Sequence, residues 1–389
     1  MNYDFNKQVS RRGTGSLKWN VGEDELPMWV ADMDFETAPC VIEALKNSVE
    51  HGIFGYTEVP DEWYEAYGSW WKRRHDFELR KEWLMFCTGV IPAISSIVRK
   101  LTSPNEKVII QTPVYNIFFN SIENNGARVL DSPLKYDNGI FDMDLDDLER
   151  KMADPQASLM LLCNPQNPTG KIWTREQLCK IGELAAKYHV TVVSDEIHCD
   201  ITDPDSCYIP FASCSEECRK VSITCIAPTK AFNIAGLQTA AISVPDPFLR
   251  HKVWRAINTD EVAEPNVFAC AAAIAAFNEG EEWLDELRSV IYENKKLVYS
   301  TVEKDMPNLY VLKGKATYLL WIDISAFNMD SKRAAAFIRE KTGLFLSYGS
   351  QYGGVGDSFL RMNLACPKSL VMDGLDRLKK AYLEIIKDE

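Results

Sequence analysis

The apolar run Leu159-Met160-Leu161-Leu162-Cys163, together with what stops it, constrains the fold more than any other stretch. A near-continuous run of this kind fits a strand of a parallel sheet buried on both faces. It ends at Asn164-Pro165-Gln166-Asn167-Pro168-Thr169-Gly170, where two prolines and a glycine force a rigid turn. The two asparagines there can bond backbone or ligand. Thr174 with Gln177 then makes a capping box. Leu178, Ile181, Ala185 and Tyr188 give the helix that follows an apolar stripe. The next strand, Val190-Thr191-Val192-Val193-Ser194, stops at Asp195-Glu196-Ile197-His198. A third β-rich run, Val221 to Ile226, stops at Ala227-Pro228-Thr229-Lys230. This alternation predicts an α/β fold around a parallel sheet. Right-handed crossovers bring the strand ends to one edge, so Asn167, Asp195 and Lys230 converge there.

A lysine just past a strand end, beside small residues and the Thr229 hydroxyl, can lose its proton and act as an amine nucleophile toward an aldehyde. The segment Leu84 to Ala93 reads as strand, glycine turn and helix start. Free backbone N–H groups of Gly89, Val90 and Ile91 at that helix N-terminus suit a phosphate. Lys107 to Gln111 is a further strand, and Tyr115 places a ring at its edge. Near the C-terminus, strand-like 316–322, a helix over 331–342 and strand-like 358–364 form a second, smaller α/β unit carrying Arg361. Helices are also predicted over 40–51, 62–75, 247–256, 264–278 and 281–304. An aldehyde cofactor with a pyridine ring and a phosphate would give each of these residues a task. Asp195 would salt-bridge the ring nitrogen, Asn167 would bond the phenolic oxygen, Tyr115 would stack on the ring, and Arg361 would grip an amino acid's carboxylate with paired hydrogen bonds. Plainer roles stand beside these. Asp195 can be a helix N-cap, Tyr115 a core ring and Arg361 the partner of a structural carboxylate. Trp19, Tyr318 and Trp321 can line a pocket or belong to the core.

Composition removes other classes. A chain of 389 residues implies two unequal domains. A net charge of −13 and the lack of a Lys/Arg-rich tract argue against nucleic acid. No run of 18 apolar residues exists to span a membrane, and residues 1–7 lack an apolar signal core. The 11 cysteines have no metal-ligand spacing and read as reduced thiols of a cytoplasmic protein. His198-Cys199 lacks a second ligand pair, and Gly353-Gly354-Val355-Gly356 opens no βαβ unit and reads as a turn.

The pattern resembles the fold-type I pyridoxal-phosphate enzymes, the class I and II aminotransferase superfamily, over nearly the whole chain. Asn164 to Gly170 resembles that family's N-P-x-N-P-T-G, and Asp195, Lys230 and Arg361 follow in the family's order. Within it, the chain is most similar to the MalY/PatB group of cystathionine β-lyases. The likeness rests on 29–35, 195–198, 230–238 and 361–367. Gln238 stands where aminotransferases carry a phosphate-binding arginine, and Ala227 and His198 stand where they often carry serine and tyrosine. The resemblance implies a large domain over 46–284 with a mostly parallel seven-stranded sheet, and a smaller one from 1–45 and 285–389. It implies pyridoxal 5'-phosphate held by Lys230, Asp195, Asn167, Tyr115, Gly89, Val90, Ile91, His198 and Thr229. It also implies that Tyr56 reaches across a homodimer interface to the neighbouring site, and that Arg361, Asn167 and Tyr56 bind substrate. The implied reaction is β-elimination from a sulfur-containing amino acid, with Lys230 and Asp195 catalytic, giving a thiol, pyruvate and ammonia. Transamination uses the same residues, and a non-catalytic regulator on this fold is the alternative from another class.

Overall fold

Seven strands form the centre of the computed structural model, which describes residues 3–387. In chain order they are β1 (Leu84–Cys87), β2 (Lys107–Ile110), β3 (Arg128–Asp131), β4 (Ala157–Cys163), β5 (Thr191–Asp195), β6 (Ser222–Ile226) and β7 (Ala240–Ser243). Their order across the sheet is β1-β7-β6-β5-β4-β2-β3, and only β7 runs against the others. The sheet is mostly parallel, as the sequence predicts. β4 and β5 are buried along nearly their whole length because helices cover both faces.

The helix Val90–Leu101 follows β1 directly and turns Ala93, Ile94, Ile97 and Val98 into the sheet. The helix Arg175–Tyr188 opens on the predicted capping box: the Gln177 N–H donates to Thr174 Oγ1, and the Thr174 N–H donates to Gln177 Oε1. One helix starts later than its periodicity suggests. The stretch expected to be helical from 264 becomes helical at Ala269 and runs to Glu279. Pro265 disfavours helical backbone at the residue before it. Asn266 then diverts the chain, since its Oδ1 accepts the Phe268 N–H and its Nδ2 donates to the Leu237 carbonyl.

Beyond the helix Glu281–Asp305 lies an antiparallel four-stranded sheet: Tyr310–Val311, Leu319–Asp323, Phe359–Asn363 and Ser347–Tyr348, in that spatial order. It packs on the helices Ser331–Thr342 and Lys368–Ile385. The N-terminal segment joins this part, because Leu26–Pro27 pairs in parallel with Leu344–Phe345. From there residues 28–35 run as an irregular, bent strap toward the C-terminal edge of the central sheet. All eleven cysteines are free thiols. Among the described residues, no helix is long and apolar enough to cross a membrane.

Candidate active site

Strand ends set the site. β4, β5 and β6 point the same way, so the turns after Cys163, Asp195 and Ile226 share one edge with the Thr88–Gly89 turn after β1. They enclose a cavity of about 290 Å³. Of the residues predicted from sequence, Gly89, Val90, Ile91, Tyr115, Asn167, Asp195, His198, Thr229 and Lys230 all line it. Arg361 stands beside it on the small sheet, donating to Asn167 Oδ1 at 3.3 Å.

The floor of the site is held by Glu196. Its buried carboxylate accepts from Ser194 Oγ at 2.7 Å, Asn164 Nδ2 at 3.3 Å, the Phe211 N–H at 2.9 Å and the Tyr208 hydroxyl. These bonds tie the end of β5 to the turn after β4, and Glu196 is not among the residues lining the cavity. Asp195, one residue earlier, is different. Its Oδ1 accepts only the Ile197 N–H, at 3.1 Å, so it braces a turn and not a helix. Burial raises its pKa to about 7 against the opposing pull of that N–H and of Lys230. A buried carboxylate left this way favours a cationic partner.

The Lys230 Nζ donates to the Ala31 carbonyl at 2.7 Å. Burial, followed by the positive field of Arg361, lowers its pKa to about 8, while Asp32 and Asp195 oppose that shift. About a tenth of the amine is therefore free base at neutrality and half near pH 8. His198 is buried, its pKa is pushed down to about 3 by burial and by the neighbouring cations, and its Nδ1 has no partner. It stays neutral throughout the working range.

Arg361 is 5% exposed. Its terminal nitrogens reach Asn167 Oδ1 and the Trp29 carbonyl, its plane lies 4.9 Å from the Tyr352 ring, and its Nε has no partner. No carboxylate pairs with it among the described residues, which disposes of the structural-pair role. A buried guanidinium in this state is costly unless an anion completes it.

Tyr56 is the outlier. It lies fully exposed in a loop with Ile53 and Phe54, outside the cavity. Trp321 belongs to the core, and the Tyr318 hydroxyl turns to the Ala31 carbonyl. The residues missed from sequence are mostly apolar or act through backbone: Ala31, Thr88, Pro92, Cys163, Ile197 and Ala235 also line the cavity, with Gln238. His75, Cys199 and Asp200 lie close together. Asp200 already accepts from Trp70 Nε1 and bonds His75 Nε2 at 2.9 Å, which accounts for the cluster as a hydrogen-bonded network.

Asn233 fastens the strap to the lysine's own turn. Its Oδ1 accepts the Met33 N–H at 3.0 Å, and its Nδ2 donates to the Met33 and Phe35 carbonyls at 3.1 and 2.8 Å. Its φ of +54° is one that glycine also adopts freely. Asn233→Gly should therefore keep the turn and lose the three bonds. The expected cost is about 2–3 kcal/mol, read as a lower urea midpoint at unchanged slope. An unchanged midpoint would show that the strap is held without it.

Comparison with known proteins places the chain in a family. Residues 24–378 match the family model for aminotransferase class I and II. Cystathionine beta-lyase PatB of Bacillus subtilis is 40% identical over 384 residues, covering 97% of this chain and 99% of that protein. Cystalysin from Treponema denticola, whose structure contains a pyridoxal 5'-phosphate cofactor, is 33% identical with a TM-score of 0.96, covering 99% of this chain and 100% of that one. The PLP-bound C-S lyase from Staphylococcus hominis is 32% identical with a TM-score of 0.92, covering 98% and 99%. The chain belongs to the class I and II aminotransferase family.

Proposed function

We propose that the protein is a pyridoxal-phosphate-dependent C–S β-lyase that cleaves cystathionine or another cysteine S-conjugate to a thiol, pyruvate and ammonia. The observation that carries the chemistry is the Lys230 amine, with its pKa brought to about 8, in a cavity shared with a buried, cation-seeking Asp195. The near-full-length relatives named as lyases carry the choice of β-elimination.

The residues fit the cofactor by the chemistry of their donors. The start of the helix Val90–Leu101 offers amides of Gly89, Val90 and Ile91 to a phosphate, with the Thr229 hydroxyl beside them. Asp195 suits a protonated ring nitrogen, and Asn167 and the unpartnered His198 suit polar ring substituents. Tyr115 suits a ring face. When bound, the group supplies an aldehyde carbon and an electron-withdrawing ring that steadies negative charge at the substrate's Cα.

The chain's own residues do the rest. Arg361, with Asn167 alongside, binds the substrate's α-carboxylate and fixes its orientation. Lys230 as free base takes the proton from the substrate's Cα. Asp195 holds its negative charge beside the reacting centre, where low dielectric makes that charge most effective. The Cβ–S bond then breaks, and the thiolate leaves with its electron pair. The wall formed by the strap keeps bulk water away from the deprotonated carbon.

A second copy of the chain completes this reading. Val49, Ile53, Phe54 and Tyr56 form an exposed, largely apolar edge that suits a homodimer contact, with Tyr56 reaching the neighbouring site. The division at 46–284 is part of the same proposal.

The test is to incubate the purified protein with cystathionine and no 2-oxo acid. Pyruvate and thiol should appear together in equal amounts. If product forms only after a 2-oxo acid is added, the reaction is transamination and the lyase reading fails.

A further inference from the structure

The strap 29–35 has few ladder bonds, yet its carbonyls are taken by side chains from distant elements. Arg361 and Ser347 hold the Trp29 carbonyl. Asn363 Nδ2 holds those of Val30 and Asp32, and Asn233 those of Met33 and Phe35. The Ala31 carbonyl sits in the middle and accepts two donors, Lys230 Nζ at 2.7 Å and the Tyr318 hydroxyl at 3.0 Å. Tyr318 is fully buried, and its ring meets His198 edge to face at 6.2 Å. It therefore touches the strap, the lysine's acceptor and one wall of the cavity, but is not itself part of the lining.

We propose that Tyr318 is a positioning residue for the reaction: by sharing the Ala31 carbonyl with Lys230, it sets where the amine rests and how weakly that amine keeps its proton. The proposal rests on Lys230 being the reacting amine. Two donors on one carbonyl oxygen compete, and each weakens the other's bond. With the hydroxyl in place, the carbonyl stabilises an ammonium less than it would alone. When the amine is engaged elsewhere, the hydroxyl keeps the carbonyl from becoming a buried orphan. The strap then stays shut while the lysine moves. The other groups facing the amine are Arg361, Asp32, Asp195 and neutral His198, and Tyr318→Phe keeps the ring that meets His198.

Tyr318→Phe removes one oxygen and keeps the ring. The experiment follows the uptake of added pyridoxal phosphate by the cofactor-free full-length chain, through its visible absorbance, across about pH 6 to 10. The ratio of variant to wild-type rate cancels the cofactor's own ionisations. Once the cofactor's separately titrated ionisations are subtracted, the midpoint of the wild-type profile should lie near 8. In Tyr318→Phe it should rise by about half a pH unit to one. Difluorotyrosine at 318 keeps the hydroxyl as a stronger donor and should move the midpoint down, so the proposal can be tested even if the phenylalanine variant does not fold. Tyr299→Phe, whose hydroxyl meets the remote Leu312 carbonyl, should leave it unchanged. An unmoved or lowered midpoint in Tyr318→Phe, or an equal shift in Tyr299→Phe, overturns the proposal. Failure of the wild-type chain to take up the cofactor at all would instead overturn the reading of Lys230.

Discussion

Lys230→Ala should lower pyruvate release from cystathionine by at least about 10,000-fold, since the proposed mechanism makes one side chain both attachment point and proton acceptor. The loss should appear in kcat more than in KM, because the carboxylate grip proposed for Arg361 and Asn167 is left in place. The fold should survive. Lys230 makes a single side-chain bond, to the Ala31 carbonyl, which the Tyr318 hydroxyl also serves. Steady-state kinetics on a variant with wild-type circular dichroism makes the comparison. Activity within about 100-fold of wild type would remove the lysine from the chemistry.

Asp195→Asn should produce opposite effects on rate and stability. Turnover should fall by about 100- to 1,000-fold, the scale seen when one preorganised charge is removed from a reacting centre. Stability of the cofactor-free chain should move the other way at high pH. The folded pKa is about 7 and the ordinary value 3.8. The folded chain thus keeps a proton that the unfolded chain has released. That contribution is whole below about pH 4 and is lost as pH rises through about 7. Its ceiling is about 4 kcal/mol. At pH near 8 the cofactor-free variant should unfold at higher urea than wild type, and near pH 4 the two should converge. Parallel pH profiles would show that Asp195 carries no buried-charge penalty. Saturating wild type with pyridoxal phosphate should erase its disadvantage at high pH, because a protonated ring nitrogen would supply the missing cation.

Those residues were legible in the sequence for a physical reason. Asp195 ends one buried strand and Asn167 and Lys230 lie in the turns after two others, and strand ends in a parallel sheet share an edge. A functional group placed by regular structure can be located from apolar runs and turns. The strap was legible only in part. Residues 29–35 stood out through family likeness, but what they contribute is a row of carbonyls, and every residue type carries a carbonyl. Tyr318 was left between pocket and core because its ring is core and only its hydroxyl faces the site's framework. Asn233 and its partner Met33 are 200 residues apart, and no local period reports such a pairing. The late start of the helix Ala269–Glu279 is a similar case: alanines fixed its existence, but Pro265 and Asn266 fixed its boundary.

The strap also bears on when the protein becomes competent during synthesis. Its carbonyls belong to the first tenth of the chain, while Tyr318, Ser347, Arg361 and Asn363 belong to the last fifth. The central sheet needs nothing beyond Ser243 for its pairing, although its first strand, Leu84–Cys87, pairs with its last, Ala240–Ser243. The strap's ties to Lys230 and Asn233 can form with the central sheet, whereas those to Tyr318, Ser347, Arg361 and Asn363 wait for the C-terminal strands. Every residue lining the cavity lies between Ala31 and Gln238, so a protein cut short before Phe359 would keep that lining but lose Arg361 and the bonds that Arg361 and Asn363 make to the strap.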